Sequence, residues 1–305
     1  MRKFIKYTYI LFFILIISGC YENQDKQYDI EYSKKSVFEK KVYIFGVHPL
    51  HNPKKLFEVY QPMIDYINKQ LPDIEIKLEA SRNYAAYDKK LFSGYFDLSL
   101  PNPYQTVIAA QNGYEIFGKM GDDQNFRGII IIRKDSNIKD VKDIKGKTVS
   151  YPAPTALAAT MMPQEFLNAN GIDINKDIEN IYVGSQESSI MNVYLKKSIA
   201  GSTWPPPWIA FAKENPNIAK MLEVKWETKP LLNNGLVAKK EFPKDLLLKI
   251  SNIIFNLHTH KKGKEILKAM ELSRYEKADF NTYDKVRFFL KDFEKNVRVI
   301  RVNND

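Results

Sequence analysis

The chain has 305 residues, a formal charge of +10, 44% hydrophobic residues and a single cysteine. One cysteine excludes any disulfide within the chain, so the fold must rest on its core, for which this length is ample. The lysines are spread in pairs such as Lys40-Lys41, Lys54-Lys55, Lys196-Lys197 and Lys261-Lys262; with no long basic block, they read as a solvated surface and argue against a nucleic-acid partner.

Arg2, Lys3 and Lys6 precede an apolar run, Tyr7 to Ile17, which Ser18-Gly19-Cys20 closes. A basic start, an apolar stretch and a small-residue exit spell a secretory signal; the run is shorter than the ~20 apolar residues that span a bilayer. The exit resembles a bacterial lipobox, which implies lipid on Cys20. Residues 1–19 are therefore expected to be a lipoprotein signal peptide and 20–40, polar and charged, a flexible tether of up to ~70 Å at about 3.5 Å per residue.

From Lys41 onward strands and helices alternate. Strands are expected at 42–47, 75–78, 96–100 and 129–133, and helices at 56–70, 84–94 and 104–111, the last stopping at Asn112-Gly113. A second block starts near Lys134, with strands at 147–151, 181–183 and 199–203 and helices at 155–170 and 188–197. The run Trp204-Pro205-Pro206-Pro207-Trp208 follows. A strand at 235–238 and helices at 244–258 and 283–293 complete the pattern. Such alternation implies a mostly parallel sheet covered on both faces.

Ligands of open α/β sheets sit beyond the carboxyl ends of the strands. Five strand ends here carry polar or aromatic clusters: Val47 to Asn52 with His48 and His51, Pro101-Asn102-Pro103-Tyr104, Tyr151 to Thr155, Gly184 to Ser189, and the Trp-Pro-Pro-Pro-Trp run. Thr155 stands where a helix is expected to begin, so it is either an N-cap or part of an anion site built on unpaired N–H groups. Tyr84 and Tyr104 each bring a phenol hydroxyl to a helix start. His258-Thr259-His260 does not put two imidazoles on one helix face, and no metal, cofactor or catalytic constellation stands out.

The order and spacing of Gly46-Val47-His48-Pro49, Tyr84-Ala85-Ala86-Tyr87, Phe96-Asp97-Leu98-Ser99 with Tyr104, Ile130 to Ser136, Asp143 to Val149 and Gly184-Ser185-Gln186-Glu187 resemble the phosphate, phosphite and phosphonate-binding proteins of ABC transporters. The resemblance runs from about Val42 to Phe289. It implies a type II periplasmic-binding-protein fold, α/β and two-lobed, each lobe a mixed sheet flanked by helices, with a hinge. It also implies ligand contacts at Tyr84 and Tyr104. The chain departs from the family where a Ser-Thr-Ser run becomes Pro154-Thr155-Ala156, where a histidine becomes Gln186, and where an acidic residue becomes Ile199.

The expectation is therefore a lipid-anchored, extracytoplasmic solute-binding protein and not an enzyme. Lobe 1 would combine 41–133 with 232–305, and lobe 2 would cover 134–231. His48, Tyr84, Asn102, Tyr104, Thr155, Gln186, Trp204 and Trp208 would hold an oxyanion or small polar solute. The expected partner is an ABC permease of the bacterial membrane; a sensor kinase or chemoreceptor is the alternative, and the protein itself is expected to be monomeric.

Overall fold

The computed structural model describes residues 40–300; the expected signal peptide, Cys20 and nearly all of the expected tether lie outside them. Strand β1 (Lys41–Val47) leads to helix α1 (Pro53–Gln70), β2 (Ile74–Ala80), α2 (Tyr84–Phe92), β3 (Leu98–Leu100), α3 (Pro103–Gln111) and β4 (Tyr114–Met120). Next come β5 (Ile129–Arg133), β6 (Thr148–Tyr151), a π-helical turn (Leu157–Met161), α4 (Met162–Ala169), β7 (Glu179–Tyr182), α5 (Gln186–Tyr194) and β8 (Ala200–Thr203). The remainder is α6 (Pro205–Glu214), α7 (Pro216–Ala219), β9 (Leu222–Glu227), β10 (Gly235–Lys239), α8 (Lys244–Phe255), α9 (Lys261–Ala269), β11 (Tyr275–Lys277) and α10 (Asp284–Asn296).

Two mixed sheets result. The first has the order β11-β4-β10-β3-β1-β2 and the second β7-β6-β8-β5-β9. In the first, β1 runs parallel to β2 and β3, whereas β10 runs antiparallel to β3 and β4. Helix α1 shows why such pieces form. Asn52 caps it by accepting from the Lys55 N–H at 3.0 Å, Pro53 starts it without wasting a donor, and Leu56, Val59, Tyr60, Met63, Ile64 and Ile67 line its buried face at helical spacing.

The sequence boundary at residue 133 places Ile129–Arg133 with the first sheet. The strand instead pairs with β8 and β9 in the second. Its four isoleucines are all buried, as a strand between two neighbours requires. The chain therefore crosses between sheets over 121–128 and returns over 228–234. The two crossings run side by side. Thr228 N–H donates to Gly128 O at 2.9 Å, Gly128 N–H to Thr228 Oγ1 at 2.9 Å, and Leu231 N–H to Phe126 O at 2.9 Å. A Cβ on Gly128 would lie 2.4 Å from Ala158 O, so only glycine fits there.

Candidate functional site

The carboxyl ends of β1 and β3 in the first sheet, and of β6 and β8 in the second, lead into segments that meet at a small space between the sheets. It has about 200 Å³ of empty volume, and His48, Tyr84, Asn102, Gln186 and Trp204 line it together with Asn234, Phe126 and Ala156 to Ala159. Five residues singled out in the sequence thus converge from both sheets.

Each is held by a nameable device. His48 follows β1, and its Nδ1 donates to Leu100 O at 2.9 Å, because a carbonyl can only accept. That bond fixes the tautomer and leaves Nε2 as an acceptor while the ring is neutral. Burial keeps it neutral, lowering its pKa to about 4 against the pull of the Leu100 bond. Asn102 caps α3 in a reciprocal capping box with Gln105, and its Nδ2 still donates to Thr155 O at 3.0 Å. Tyr84 is the first residue of α2, behind the cap Asn83. Its hydroxyl accepts from Gln186 Nε2 at 3.1 Å, while Gln186 Oε1 accepts from Thr203 Oγ1 at 2.8 Å. Gln186 opens α5 behind its cap Ser185. Trp204 follows β8 at the cap position of α6, with its ring 5.4 Å from that of Phe126.

Thr155 is buried but caps nothing. The helix expected from it opens instead with the π-helical turn, whose flanking residue is Ala156. The threonine hydroxyl reaches across to the other side and donates to Asp88 Oδ2 at 2.9 Å. Tyr104 and Trp208 do not line the space. Tyr104 is buried in the first core, near Asp88 and Arg298. Trp208 lies one turn along α6 from Trp204, where its ring stacks on Phe211 at 6.2 Å and packs against the second core. A helix that begins at Pro205 turns residue 208 away from the face that the strand gives residue 204.

Three residues of the site escaped the sequence reading. Asp88 is 1% exposed and accepts from Gln105 Nε2 at 2.5 Å as well as from Thr155. Its pKa is pushed up to about 6 by burial, against the pull of those two bonds. The signal was present: Asp88 lies four residues after Tyr84, on the same helix face. Thr203, the partner of Gln186, ends a buried strand. The Asn234 side chain donates only to Met120 Sδ, at 3.3 Å, and its Oδ1 is buried without a partner. Turning its amide over costs little, because a thioether is a weak acceptor, and would aim an NH₂ at the space.

No lysine or arginine lines this space. Its polar groups are neutral dipoles (phenol, amides, imidazole) set against an apolar wall of Trp204, Phe126 and Leu157. A small solute here would be held by directed hydrogen bonds from neutral groups. Elsewhere along the same side, Lys55 pairs with Glu214 at 2.7 Å, Lys213 pairs with Glu271, and Asn52 Nδ2 donates to Glu187 at 3.3 Å, so α6 and α5 are tied to the start of α1 and to the turn after α9.

Comparison with known proteins agrees with this architecture. A family model described as the periplasmic substrate-binding protein of phosphonate ABC transporters matches residues 45–283. A protein of Prochlorococcus marinus (strain MIT 9301), described as a probable ABC transporter phosphite binding protein, PhnD1, is 25% identical over 270 residues, 81% of this chain and 88% of that protein. Among solved structures, a binding protein component of a phosphonate ABC transporter from Pseudomonas aeruginosa superposes with a TM-score of 0.77 at 17% identity, over 84% of this chain and 88% of that one. PhnD1 from Prochlorococcus marinus, in complex with methylphosphonate, gives 0.76 at 22% identity, over 84% and 99%. These neighbours have the type II periplasmic-binding-protein fold, and their family comprises binding proteins, not enzymes. The chain belongs to the periplasmic substrate-binding proteins of phosphonate ABC transporters.

Proposed function

We propose that this protein is a lipid-anchored extracytoplasmic clamp that captures a small phosphorus oxyanion, phosphite or a phosphonate, and hands it to an ABC permease. The observation that carries the reading is the space between the two sheets, where Tyr84 and Asn102 from one side meet Gln186 and the Thr155 segment from the other. In the ligand-bound state Tyr84, Gln186, Asn102 and Asn234 would donate to the oxyanion. Thr155 would turn its hydroxyl from Asp88 to the same oxygens, and Trp204 would wall the organic face. His48 Nε2 would accept from a protonated ligand oxygen.

The two lobes would be the units carrying the two sheets, hinged at the paired crossings 121–128 and 228–234. Ligand bound to one lobe recruits the other, and the Lys55–Glu214 and Lys213–Glu271 pairs add to closure. The Ser18-Gly19-Cys20 exit supports a lipid on Cys20 and a tether that leaves the clamp free to reach its permease. Similarity to the phosphite-binding and methylphosphonate-bound relatives supports the ligand class.

A thermal-shift and calorimetric screen against phosphate, phosphite, methylphosphonate and sulfate tests this. At a hundred times its Kd, a ligand adds ~2.7 kcal/mol to the folded state, which is roughly 5 °C or more for a chain of this size. Stabilisation by phosphite or methylphosphonate and not by sulfate is expected. If no phosphorus oxyanion shifts the melt, the ligand reading is wrong.

A further inference from the structure

The edge of the second sheet away from the candidate site has a pocket of its own. Strands β6 and β8 run parallel to each other and send their carboxyl ends toward the candidate site, so their amino ends lie at the opposite edge. There β5 ends at Arg133, which pairs with Leu222 at the start of β9. An open pocket with about 820 Å³ of empty volume is lined here by Arg133, Asp135, Ser136, Lys147, Lys196 and Lys197, among others.

Its charge is unbalanced. Arg133 Nε and Nη2 donate to the two oxygens of Asp135, at 2.7 and 2.8 Å, which engages the one carboxylate in the lining. Lys196 Nζ stands 3.7 Å from Asp135, while Lys147 and Lys197 form no ion pair among the described residues. Of the carboxylates just outside, Asp177 pairs with Lys145 at 2.9 Å and Glu179 accepts from Thr148 Oγ1 at 2.6 Å. Ser136 Oγ is shielded from solvent and has no hydrogen-bond partner. A buried hydroxyl in a folded chain normally finds one, so this wall holds a donor that no protein group uses. Three lysines and a free hydroxyl around one pocket complement an anionic phosphate. The border of the pocket adds apolar side chains. Leu195, 51% exposed, precedes Lys196, and Met221, 42% exposed, is held beside Lys134, whose N–H donates to its carbonyl at 3.0 Å. A soluble phosphate has no use for such a border, whereas a bilayer offers charged headgroups with an acyl region directly beneath.

We propose that this edge of the second sheet is a membrane-docking site: the pocket takes the phosphodiester of an anionic phospholipid, and Leu195 and Met221 enter the boundary below the headgroups. The site is separate from the space between the sheets and depends neither on the solute held there nor on a lipid at Cys20. It would lay the outer end of the second sheet on the bilayer and leave the crossings at 121–128 and 228–234 free to flex.

The test uses the chain from residue 20 onward, carrying Cys20→Ser so that no lipid is attached, and measures its sedimentation with vesicles. Vesicles of phosphatidylcholine alone are expected to leave it in solution, and vesicles with about one-third phosphatidylglycerol to carry it down. Lys147→Gln, Lys196→Gln and Lys197→Gln together should weaken that binding about fivefold for each lysine, or about a hundredfold in all. Three equal charge changes elsewhere, Lys54→Gln, Lys261→Gln and Lys262→Gln, should alter it by less than about twofold, because salt screens charges remote from the contact. Leu195→Ser should weaken it with no change in net charge, and melting temperatures verify that each variant is folded. Equal losses in the two triple variants, or a wild type that stays in solution with both kinds of vesicle, overturn the proposal. Unchanged binding by Leu195→Ser overturns the apolar contact. Calorimetric binding of glycerol 3-phosphate that disappears in the Lys147, Lys196 and Lys197 variant, with no binding to vesicles, assigns the pocket to a soluble phosphate ester and overturns the membrane docking.

Discussion

Asp88→Asn should make the ligand-free protein more stable, by an amount that depends on pH. The carboxyl titrates at about 6 in the fold against an ordinary 3.8, because burial disfavours its charged form more than Thr155 and Gln105 favour it. The folded protein therefore holds this proton more tightly than the unfolded chain. The stabilisation it brings is complete below about pH 3.8 and is lost as the pH rises through 6; at pH 8 the buried charge stands as a penalty of about 3 kcal/mol. The amide removes that penalty. Thr155 can rotate its hydroxyl to accept from the new NH₂ while Gln105 continues to donate to the amide oxygen, although an imperfect fit would return about 1 kcal/mol. The net gain of about 2 kcal/mol corresponds to roughly 4–8 °C in melting temperature for a domain of this size. Melting curves of both proteins between pH 4 and 8 measure it: D88N should gain most at pH 8 and almost nothing at pH 4. A D88N protein that melts below the wild type at pH 8, or by a constant difference at all pH values, would refute the claim that a desolvated charge sits there.

His48 should act in the opposite direction. Its pKa is lowered from 6.5 to about 4, so the stability it contributes is full above pH 6.5 and is lost as the pH falls through 4. Measured in the D88N background, His48→Gln should flatten the acid limb of the melting profile, and an unchanged limb would assign that limb to other groups. Gln186→Leu removes the amide that joins Tyr84 to Thr203 and leaves two buried hydroxyls with nothing to bond, at ~1–3 kcal/mol each; calorimetry should show affinity for methylphosphonate falling about tenfold or more. Trp204 borders the cavity and Trp208 does not, so a ligand-induced change in tryptophan fluorescence should vanish in Trp204→Phe and persist in Trp208→Phe. The reverse pattern would mean that the ligand lies against α6.

Much of the architecture was legible because burial writes itself as periodicity. The apolar stripe of α1 and the isoleucine run of β5 could be read directly, and so could the residue types at the strand ends. What pairing partner a strand takes could not. Ile129–Arg133 is equally hydrophobic whichever sheet accepts it, so the boundary at 133 fell on the wrong side of the strand. Tyr114–Met120 and Leu222–Glu227 were overlooked because Lys119, Lys225 and three glutamates interrupt them. Lys119 is nonetheless buried, and is neutralised by Asp123 and Glu276 at 2.9 and 2.8 Å. Of the residues singled out in the sequence, those that line the candidate space stand where segments begin or end: His48, Tyr84, Asn102, Gln186 and Trp204. Tyr104, expected from its helix start and from the family resemblance, and Trp208, expected from the Trp-Pro-Pro-Pro-Trp run, do not line it, because adjacency in the chain says nothing of which way a helix turns its side chains. Asp88 was passed over as one charge in a lysine-rich helix, Asp88-Lys89-Lys90, although the lysines face outward and it does not.

The first sheet is assembled out of order. Its strand β10, seated between β4 and β3, starts at Gly235, after every strand of the second sheet has been made. A nascent chain halted before that point carries a finished second sheet, while β4 stands apart from β3, β1 and β2 with two unsatisfied edges facing each other. Until β10 is added those edges stay open, and truncations ending between 228 and 234 should aggregate rather than fold.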